Sequence, residues 1–167
     1  MRKIEHDRTY QNIVHDILEN EEFNRLRYIE HHGTSRYAHS MRVSYYSYKI
    51  SKLLHLDTED VARAGLLHDF FFSDQDRTTK ERFLSTFNHP KKACANAMQY
   101  FGLNEREQDI IVSHMFPVNI QVPKYAESWV VSLTDKVVGF YEMGIKARYK
   151  TAYLANICML FLINVVK

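Results

Sequence analysis

Residues 64–72 of the chain read AGLLHDFFF, so that His68 and Asp69 stand in the middle of an apolar run. A charged carboxylate among core residues must be paired or bound to a metal, because an isolated buried charge is very costly. Neighbouring residues on a helix point about 100° apart. His68 and Asp69 can therefore serve one site only if other helices bring further ligands around them.

Four other side chains are of the right type to complete such a site, namely His39, His89, His114 and Asp135. Each lies on its own predicted helix, next to apolar neighbours. Together with His68 and Asp69 they could surround two divalent ions, with Asp69 as the bridge. Imidazole suits Zn, Fe, Ni and Co, carboxylate suits Mn and Mg, and the mixed set favours Fe, Mn or a similar ion. Without thiolates, a closed structural zinc site is not expected.

The composition bounds the fold and the class of function. A length of 167 residues suits about one domain, which we predict to span residues 1–167. With 46% hydrophobic and 25% charged residues the chain can bury a core, which excludes disorder. Five glycines and three prolines are too few for the turns of an all-β protein, so an all-α fold is predicted. The net charge of +2 is too small for a dedicated binder of nucleic-acid polymers.

Helical spacing and capping signals predict about seven to eight helices in a compact bundle and no convincing strand. The predicted helices cover residues 5–19, 21–30, 34–55, 57–68, 89–102, 104–117 and 128–144, and a last one follows Gly144. Thr34-Ser35 can cap one helix, and Asn104 with Glu107 forms a capping box. His89-Pro90 is interpreted as a helix start, because proline lacks only an N–H that the first turn leaves unpaired.

The chain ends and the cysteines predict a cytoplasmic protein. The first 20 residues are polar and lack the apolar core of a signal peptide. The apolar run from Ala152 to Val166 is shorter than the about 20 residues of a membrane span, so stable membrane insertion is not expected. We interpret this run as a buried terminal helix, with contact to a membrane surface as the alternative. Cys94 and Cys158 alone cannot form a disulfide framework or a cysteine-based zinc site, which favours a reducing compartment.

In this order, His39, the pair His68-Asp69 and Asp135 resemble the signature of the HD-domain metal-dependent phosphohydrolases, over about residues 30–142. His89-Pro90 and His114 resemble the additional histidines of the two-metal subset, such as the cyclic dinucleotide phosphodiesterases and the dinucleoside tetraphosphate hydrolases. The resemblance implies two ligand sets: His39, His68, Asp69 and Asp135 for one metal, and Asp69, His89 and His114 for the other.

Other positions bear on the substrate. Residues 33–40, GTSRYAHS, are similar to small bacterial HD proteins of unassigned substrate. Residues 115–117 read Met-Phe-Pro, where the enzymes that cleave cyclic-di-GMP carry Gly-Tyr-Pro. Phe72 stands where the related deoxynucleoside 5′-monophosphatases carry a glutamate. These departures argue against both activities and leave the substrate open.

The ligand set implies metal-assisted hydrolysis. Two divalent ions can lower the pKa of a bridging water toward about 7, and the hydroxide attacks phosphorus. Asp69, next to His68, is predicted to bridge the ions and to orient the nucleophile. Arg36, one turn before His39, could bind a phosphate with two hydrogen bonds. Lys136 could neutralise charge nearby, although its place next to Asp135 on a helix is expected to turn it elsewhere.

The predicted function is therefore hydrolysis of a phosphoester or phosphoanhydride bond. The predicted substrate is a phosphorylated small molecule of the nucleotide class. The sequence leaves the oligomeric state open. Two alternatives remain. The same ligands could hold two irons that activate oxygen, or the chain could be a non-catalytic module that binds a metal or a nucleotide in regulation. His89 and His114 also have local interpretations, as a helix N-cap and as an imidazole stabilised by a helix dipole.

Overall fold

The computed structural model describes residues 2–31, 33–72 and 79–165, without the side chains of residues 2, 3, 31, 79–86 and 155–165. Within these ranges the chain forms eight α-helices, one 3-10 turn at Arg25–Tyr28 and two very short strands. The other elements are α1 (Arg2–Glu5), α2 (Arg8–Glu19), α3 (Glu21–Asn24), β1 (Glu30–His31), β2 (Thr34–Ser35), α4 (Arg36–Leu53), α5 (Thr58–Leu67), α6 (Thr79–Tyr100), α7 (Glu105–Ser113) and α8 (Ala126–Val165).

The all-α fold is confirmed. β1 and β2 are two residues each and form one antiparallel pair, with Glu30 opposite Ser35. Gly33, between them, has a φ of 92°, a conformation that suits glycine because it has no Cβ. The sequence contained no strand signal strong enough for so short a pair. The prediction of one domain over residues 1–167 stays a prediction.

The predicted helix starts of α4 and α7 are confirmed by their caps. The Ser35 hydroxyl accepts the backbone N–H of Ala38 at the start of α4. At the start of α7, the Asn104 side chain accepts the Glu107 N–H, and the Glu107 carboxylate accepts the Asn104 N–H, both at 2.9 Å. These side chains satisfy N–H groups that the first turn of a helix leaves without a partner.

The two largest errors among the predicted helix boundaries concern α6 and α8. α6 begins at Thr79 and continues through His89 and Pro90, so His89 is not an N-cap. Both residues are buried, and this packing offsets the loss of about 3 kcal/mol that a proline inside a helix causes. α8 also continues through Gly144, because a glycine within a helix costs only about 1 kcal/mol and does not by itself end it.

The C-terminal run differs from the expectation as well. Residues 152–154 are exposed, so their predicted burial is wrong. The side chains of the rest of the run, including Cys158, lie outside the described residues. Among the described residues, none of the helices has the combination of length and apolar character needed to cross a bilayer.

The core lies between α2, α4, α5, α6 and α7. Its largest fully buried apolar side chains include Tyr10, Ile17, Phe23, Leu26, Tyr48, Leu66, Leu67, Phe70, Ile110 and Ile111. α4 and α5 approach closely at Ser44, whose hydroxyl donates to the Ala62 carbonyl at 2.6 Å and lies 2.7 Å from the Tyr10 hydroxyl. Since Ser44 donates its only proton to Ala62, Tyr10 is the donor to Ser44. This packing fixes α5, which ends at the site.

Gly65 permits the close approach of α4 and α5, and its replacement with valine is expected to destabilise the fold by about 1–3 kcal/mol. A Cβ at position 65 would lie 3.1 Å from the Ser44 Cα, and valine adds two methyl groups beyond it. Gly139→Ala is the matched control, because a Cβ there meets nothing within 4 Å and alanine favours the helix. Urea denaturation measures the free energy of unfolding, which should fall in Gly65→Val and not in Gly139→Ala. Equal stability of Gly65→Val and the wild type would contradict this packing.

Candidate metal centre

The six predicted ligands come from five helices and converge in the interior. His39 lies in the first turn of α4, His68 and Asp69 follow the last residue of α5, His89 lies within α6, His114 caps the end of α7, and Asp135 lies in α8. All are buried except Asp135, whose side chain is 15% exposed. Three overlapping groups of these residues offer donor atoms that lie within 4.8 Å of one another: His39, His68 and Asp69; His68, His114 and Asp135; Asp69, His89 and His114.

The end of α5 explains how two adjacent residues can serve one site. α5 ends at Leu67, so His68 is its C-cap and Asp69 lies in the turn that follows. The Phe70 N–H donates to the Leu67 carbonyl at 3.0 Å, and the Phe71 N–H donates to the Asp69 carbonyl at 2.8 Å. The turn therefore releases Asp69 from the helical 100° spacing. The helix predicted over 57–68 thus ends one residue earlier, at Leu67.

We call His39, His68, Asp69 and Asp135 the first group of donors. They lie between α4, the end of α5 and α8. The Oδ1 atom of Asp135 lies 3.0 Å from the Nε2 atom of His39 and 3.6 Å from the Nε2 atom of His68. The Oδ2 atom of Asp69 lies 3.9 Å from the same His68 nitrogen. Two imidazoles and two carboxylates thus face one another across a few ångströms.

The second group of donors consists of Asp69, His89 and His114. It lies between the turn after α5, α6 and the end of α7. The Nε2 atoms of His89 and His114 are 3.0 Å apart. The Oδ1 atom of Asp69 lies 3.2 Å from the Nε2 atom of His89 and 3.8 Å from that of His114. Since Oδ2 of Asp69 faces His68, its two oxygens face the two groups, which is the arrangement of a bridging carboxylate.

Two histidines are held so that Nε2 faces the site without a proton. The Nδ1–H of His68 donates to the Gly65 carbonyl at 2.8 Å, and the Nδ1–H of His114 donates to the Ile111 carbonyl at 2.7 Å. A carbonyl only accepts, so the neutral ring has its lone pair on Nε2. The Nε2 atom of His68 is buried and has no hydrogen-bond partner among the described residues. A metal ion would satisfy this atom, so the donor set fits a metal.

The electrostatics favour the ligand forms of His114 and Asp135. Burial, together with the neighbouring imidazoles of His68 and His89, lowers the pKa of His114 to about 3. Burial raises the pKa of Asp135, but the hydrogen bond with His39 and the nearby imidazole of His68 outweigh this effect and lower the pKa overall. At neutral pH the first is a neutral imidazole and the second an ionised carboxylate, which are the forms that bind metals.

His39 differs, because it lies between two carboxylates. Burial lowers its pKa, but hydrogen bonds to Asp135 and Glu142 outweigh this effect and raise the pKa to about 10. A metal ion bound at Nε2 of His39 would therefore have to displace a proton from this ring.

Arg36 and Phe71 form one wall of the cluster. The Nε atom of Arg36 lies 4.0 Å from Oδ2 of Asp69, and its guanidinium lies 3.8 Å from the centre of the Phe71 ring. Its Nη1 atom donates to the Phe71 carbonyl. Phe71 in turn stacks on His89, with ring centroids 4.9 Å apart. Arg36 thus brings a buried positive charge to the site, while its predicted grip on a phosphate stays a prediction.

Lys136 and two residues that the sequence patterns did not predict, Glu142 and Arg42, surround the six candidate ligands. The Nζ atom of Lys136 is half-buried and donates to the His114 carbonyl at 2.9 Å, so this lysine supports the end of α7. Glu142 and Arg42 were not predicted. Glu142 contacts His39, and Arg42 contacts Glu142. Glu142 follows Asp135 by seven residues and Arg42 follows His39 by three, and this helical spacing is the signal that could have found them.

Comparison with known proteins agrees with this geometry. The family model described as HD domain matches residues 36–147, which is more than half of the chain and includes all six candidate ligands. No match was found among curated proteins or among solved structures. The chain therefore belongs to the HD-domain superfamily of metal-dependent phosphohydrolases.

Proposed function

We propose that the chain hydrolyses a phosphoester or phosphoanhydride bond of a nucleotide at a centre of two divalent ions. The observation that carries this proposal is the position of Asp69, whose Oδ2 atom faces His68 and whose Oδ1 atom faces His89 and His114. A carboxylate placed in this way can bind one ion with each oxygen. A single-ion site would not need the second pair of histidines, which are buried and 3.0 Å apart.

The proposed ligand sets follow the two groups of donors. One ion would be held by His39, His68, Asp69 and Asp135, and the other by Asp69, His89 and His114. The mixture of imidazole and carboxylate favours Fe, Mn or a similar ion. Such a pair of ions would supply an acidified water and would withdraw charge from phosphoryl oxygens.

The side chains of this protein supply position and charge. Asp69 holds the centre of the site and orients the attacking water toward phosphorus. Arg36, buried beside Asp69, offsets negative charge that develops on the phosphoryl oxygens. Phe71 packs on both Arg36 and His89 and excludes water from this side. The proposed substrate is a phosphorylated small molecule, in keeping with the superfamily.

A phosphate-release screen tests the proposed function. The protein, loaded with Mn²⁺ or Fe²⁺, is incubated with mono-, di- and cyclic nucleotides and dinucleoside polyphosphates, in air and under argon. We expect phosphate or a shortened nucleotide from at least one class, at equal rates with and without oxygen. Turnover that depends strictly on O₂ and releases no phosphate would support the oxygenase instead. Tight nucleotide binding without turnover would support a regulatory module.

The number of bound ions provides a second test. His89→Ala is expected to reduce bound Mn²⁺ from about two ions per chain to about one, because only the second group loses a ligand. His15→Ala is the matched control, since the side chain of His15 is 64% exposed and pairs with Glu19, four residues later on the same helix. Elemental analysis after gel filtration without chelator measures both. Two retained ions in His89→Ala would show that this histidine is not a ligand.

A further inference from the structure

We infer that Glu142, held by Arg42, is a positioning residue that determines which nitrogen of His39 faces the metal centre. This inference rests on the proposed function. The Nδ1 atom of His39 lies 2.8 Å from Oε2 of Glu142, whereas its Nε2 atom lies 3.0 Å from Oδ1 of Asp135. The ring therefore stands between two carboxylates of the same helix, α8. Only its Nε2 side faces His68 and Asp69.

The spacing on α8 separates the two carboxylates. Asp135 and Glu142 are seven residues apart, which is about two helical turns or about 10.5 Å along the axis. Both can therefore point toward α4 from one face of α8, with the His39 ring between them. Glu142 lies on the far side of the ring from Asp135, so it orients His39 and does not bind the same ion.

His39 needs a side-chain acceptor because of its place in its helix. His68 and His114 follow the last residues of α5 and α7, and each donates its Nδ1–H to a carbonyl three residues earlier. Carbonyls in the last turn of a helix have no intrahelical partner, so they are available to these rings. His39 lies in the first turn of α4, where the preceding carbonyls bond to later N–H groups of the helix. Glu142 supplies the missing acceptor.

Arg42 keeps the Glu142 carboxylate in place. It lies one turn after His39 on α4, and its Nη1 atom donates to Oε1 of Glu142, while Oε2 faces His39. The Glu142 side chain is only 4% exposed, and a buried carboxylate requires such partners. Burial raises the pKa of Glu142, but His39 and Arg42 outweigh this effect and lower it, which keeps the acceptor ionised. An ionised acceptor also makes the imidazole a stronger ligand.

Zn²⁺ affinity tests the inference, with ¹⁵N NMR of the His39 ring as a second readout. Glu142→Gln has one acceptor oxygen for the two donors of His39 and Arg42, and we expect it to weaken Zn²⁺ binding about tenfold. Glu142→Met has no acceptor, and the expected loss is up to about 100-fold. In the Zn²⁺-loaded protein, the spectrum of wild-type His39 is expected to show a slowly exchanging Nδ1–H, because it donates to Glu142, and that of Glu142→Met a rapidly exchanging one.

Glu127→Gln is the matched control. Glu127 is also a buried glutamate of α8, but it accepts the Asp57 N–H at 3.2 Å, away from the histidines. We expect this variant to keep wild-type Zn²⁺ affinity and the His39 spectrum, although it loses some stability. Arg42→Met keeps Glu142 and is expected to weaken Zn²⁺ binding severalfold, so it replaces any Glu142 variant that does not fold by circular dichroism.

The outcomes separate this inference from the proposed function. If the wild type binds Zn²⁺ and the folded variants bind it equally well, with an unchanged His39 spectrum, Glu142 has no positioning role. The same holds if Glu127→Gln weakens binding as much as Glu142→Gln. A wild-type protein that binds no divalent ion contradicts the proposed function and, with it, this inference.

Discussion

Asp69→Ala is expected to lose both bound ions and to lower phosphate release by about three orders of magnitude or more. Each oxygen of Asp69 faces a different group of histidines, so no other side chain among the described residues substitutes for it. Its removal also leaves Arg36 without the negative charge that it faces in the core. The measurements are elemental analysis of the purified variant and phosphate release under saturating Mn²⁺.

Asp16→Ala is the control for this substitution. His15-Asp16 repeats the sequence of His68-Asp69, but the Asp16 side chain is 54% exposed and pairs with Arg63. We expect this variant to keep both ions and the wild-type rate, with a loss of stability of at most about 1 kcal/mol. If Asp69→Ala keeps its metal and its turnover, the bridging role of Asp69 is wrong.

Removal of the metal by a chelator is the second large expected effect. An ion that binds only the folded chain stabilises it by about 2.7 kcal/mol when its free concentration is 100 times Kd. For a chain of this length, loss of one such ion lowers Tm by about 5–10 °C. We expect the chelated wild type to show at least this decrease, to lose turnover, and to recover both when Mn²⁺ is restored.

The same treatment of Asp69→Ala provides the comparison. This variant holds no ion under the proposed function, so a chelator should leave its Tm unchanged. A wild-type Tm that does not respond to chelation, in protein purified without a chelator, would mean that the six side chains are stable as a metal-free hydrogen-bonded cluster. The Tm values of both proteins are measured by calorimetry at the same scan rate.

The convergence of the six side chains could be predicted because burial restricts what charged groups can do. His68 and Asp69 stand within an apolar run, and a buried carboxylate needs cations or donors around it. Local capping signals likewise predicted the starts of α4 and α7, because the side-chain oxygens of Ser35 and Asn104 accept N–H groups of their own helix turns. Interactions between residues that are near in sequence could therefore be predicted.

Other features depend on contacts between helices, which spacing alone does not encode. The continuity of α6 through Pro90 depends on burial that offsets a local penalty. The partner of the His39 Nδ1 atom, Glu142, is 103 residues away in sequence, and only the packing of α4 against α8 brings the two together. The contact of Arg36 with Phe71 depends in the same way on the turn after α5.

Anomalous X-ray diffraction from crystals grown with Mn²⁺ shows whether Asp69 lies between two ions. We expect two anomalous peaks, about 3.5–4 Å apart, on either side of the Asp69 carboxylate. One peak should contact His39, His68 and Asp135, and the other should contact His89 and His114. Peaks that lie only away from these six side chains, or crystals with full Mn²⁺ occupancy elsewhere and none here, would contradict it.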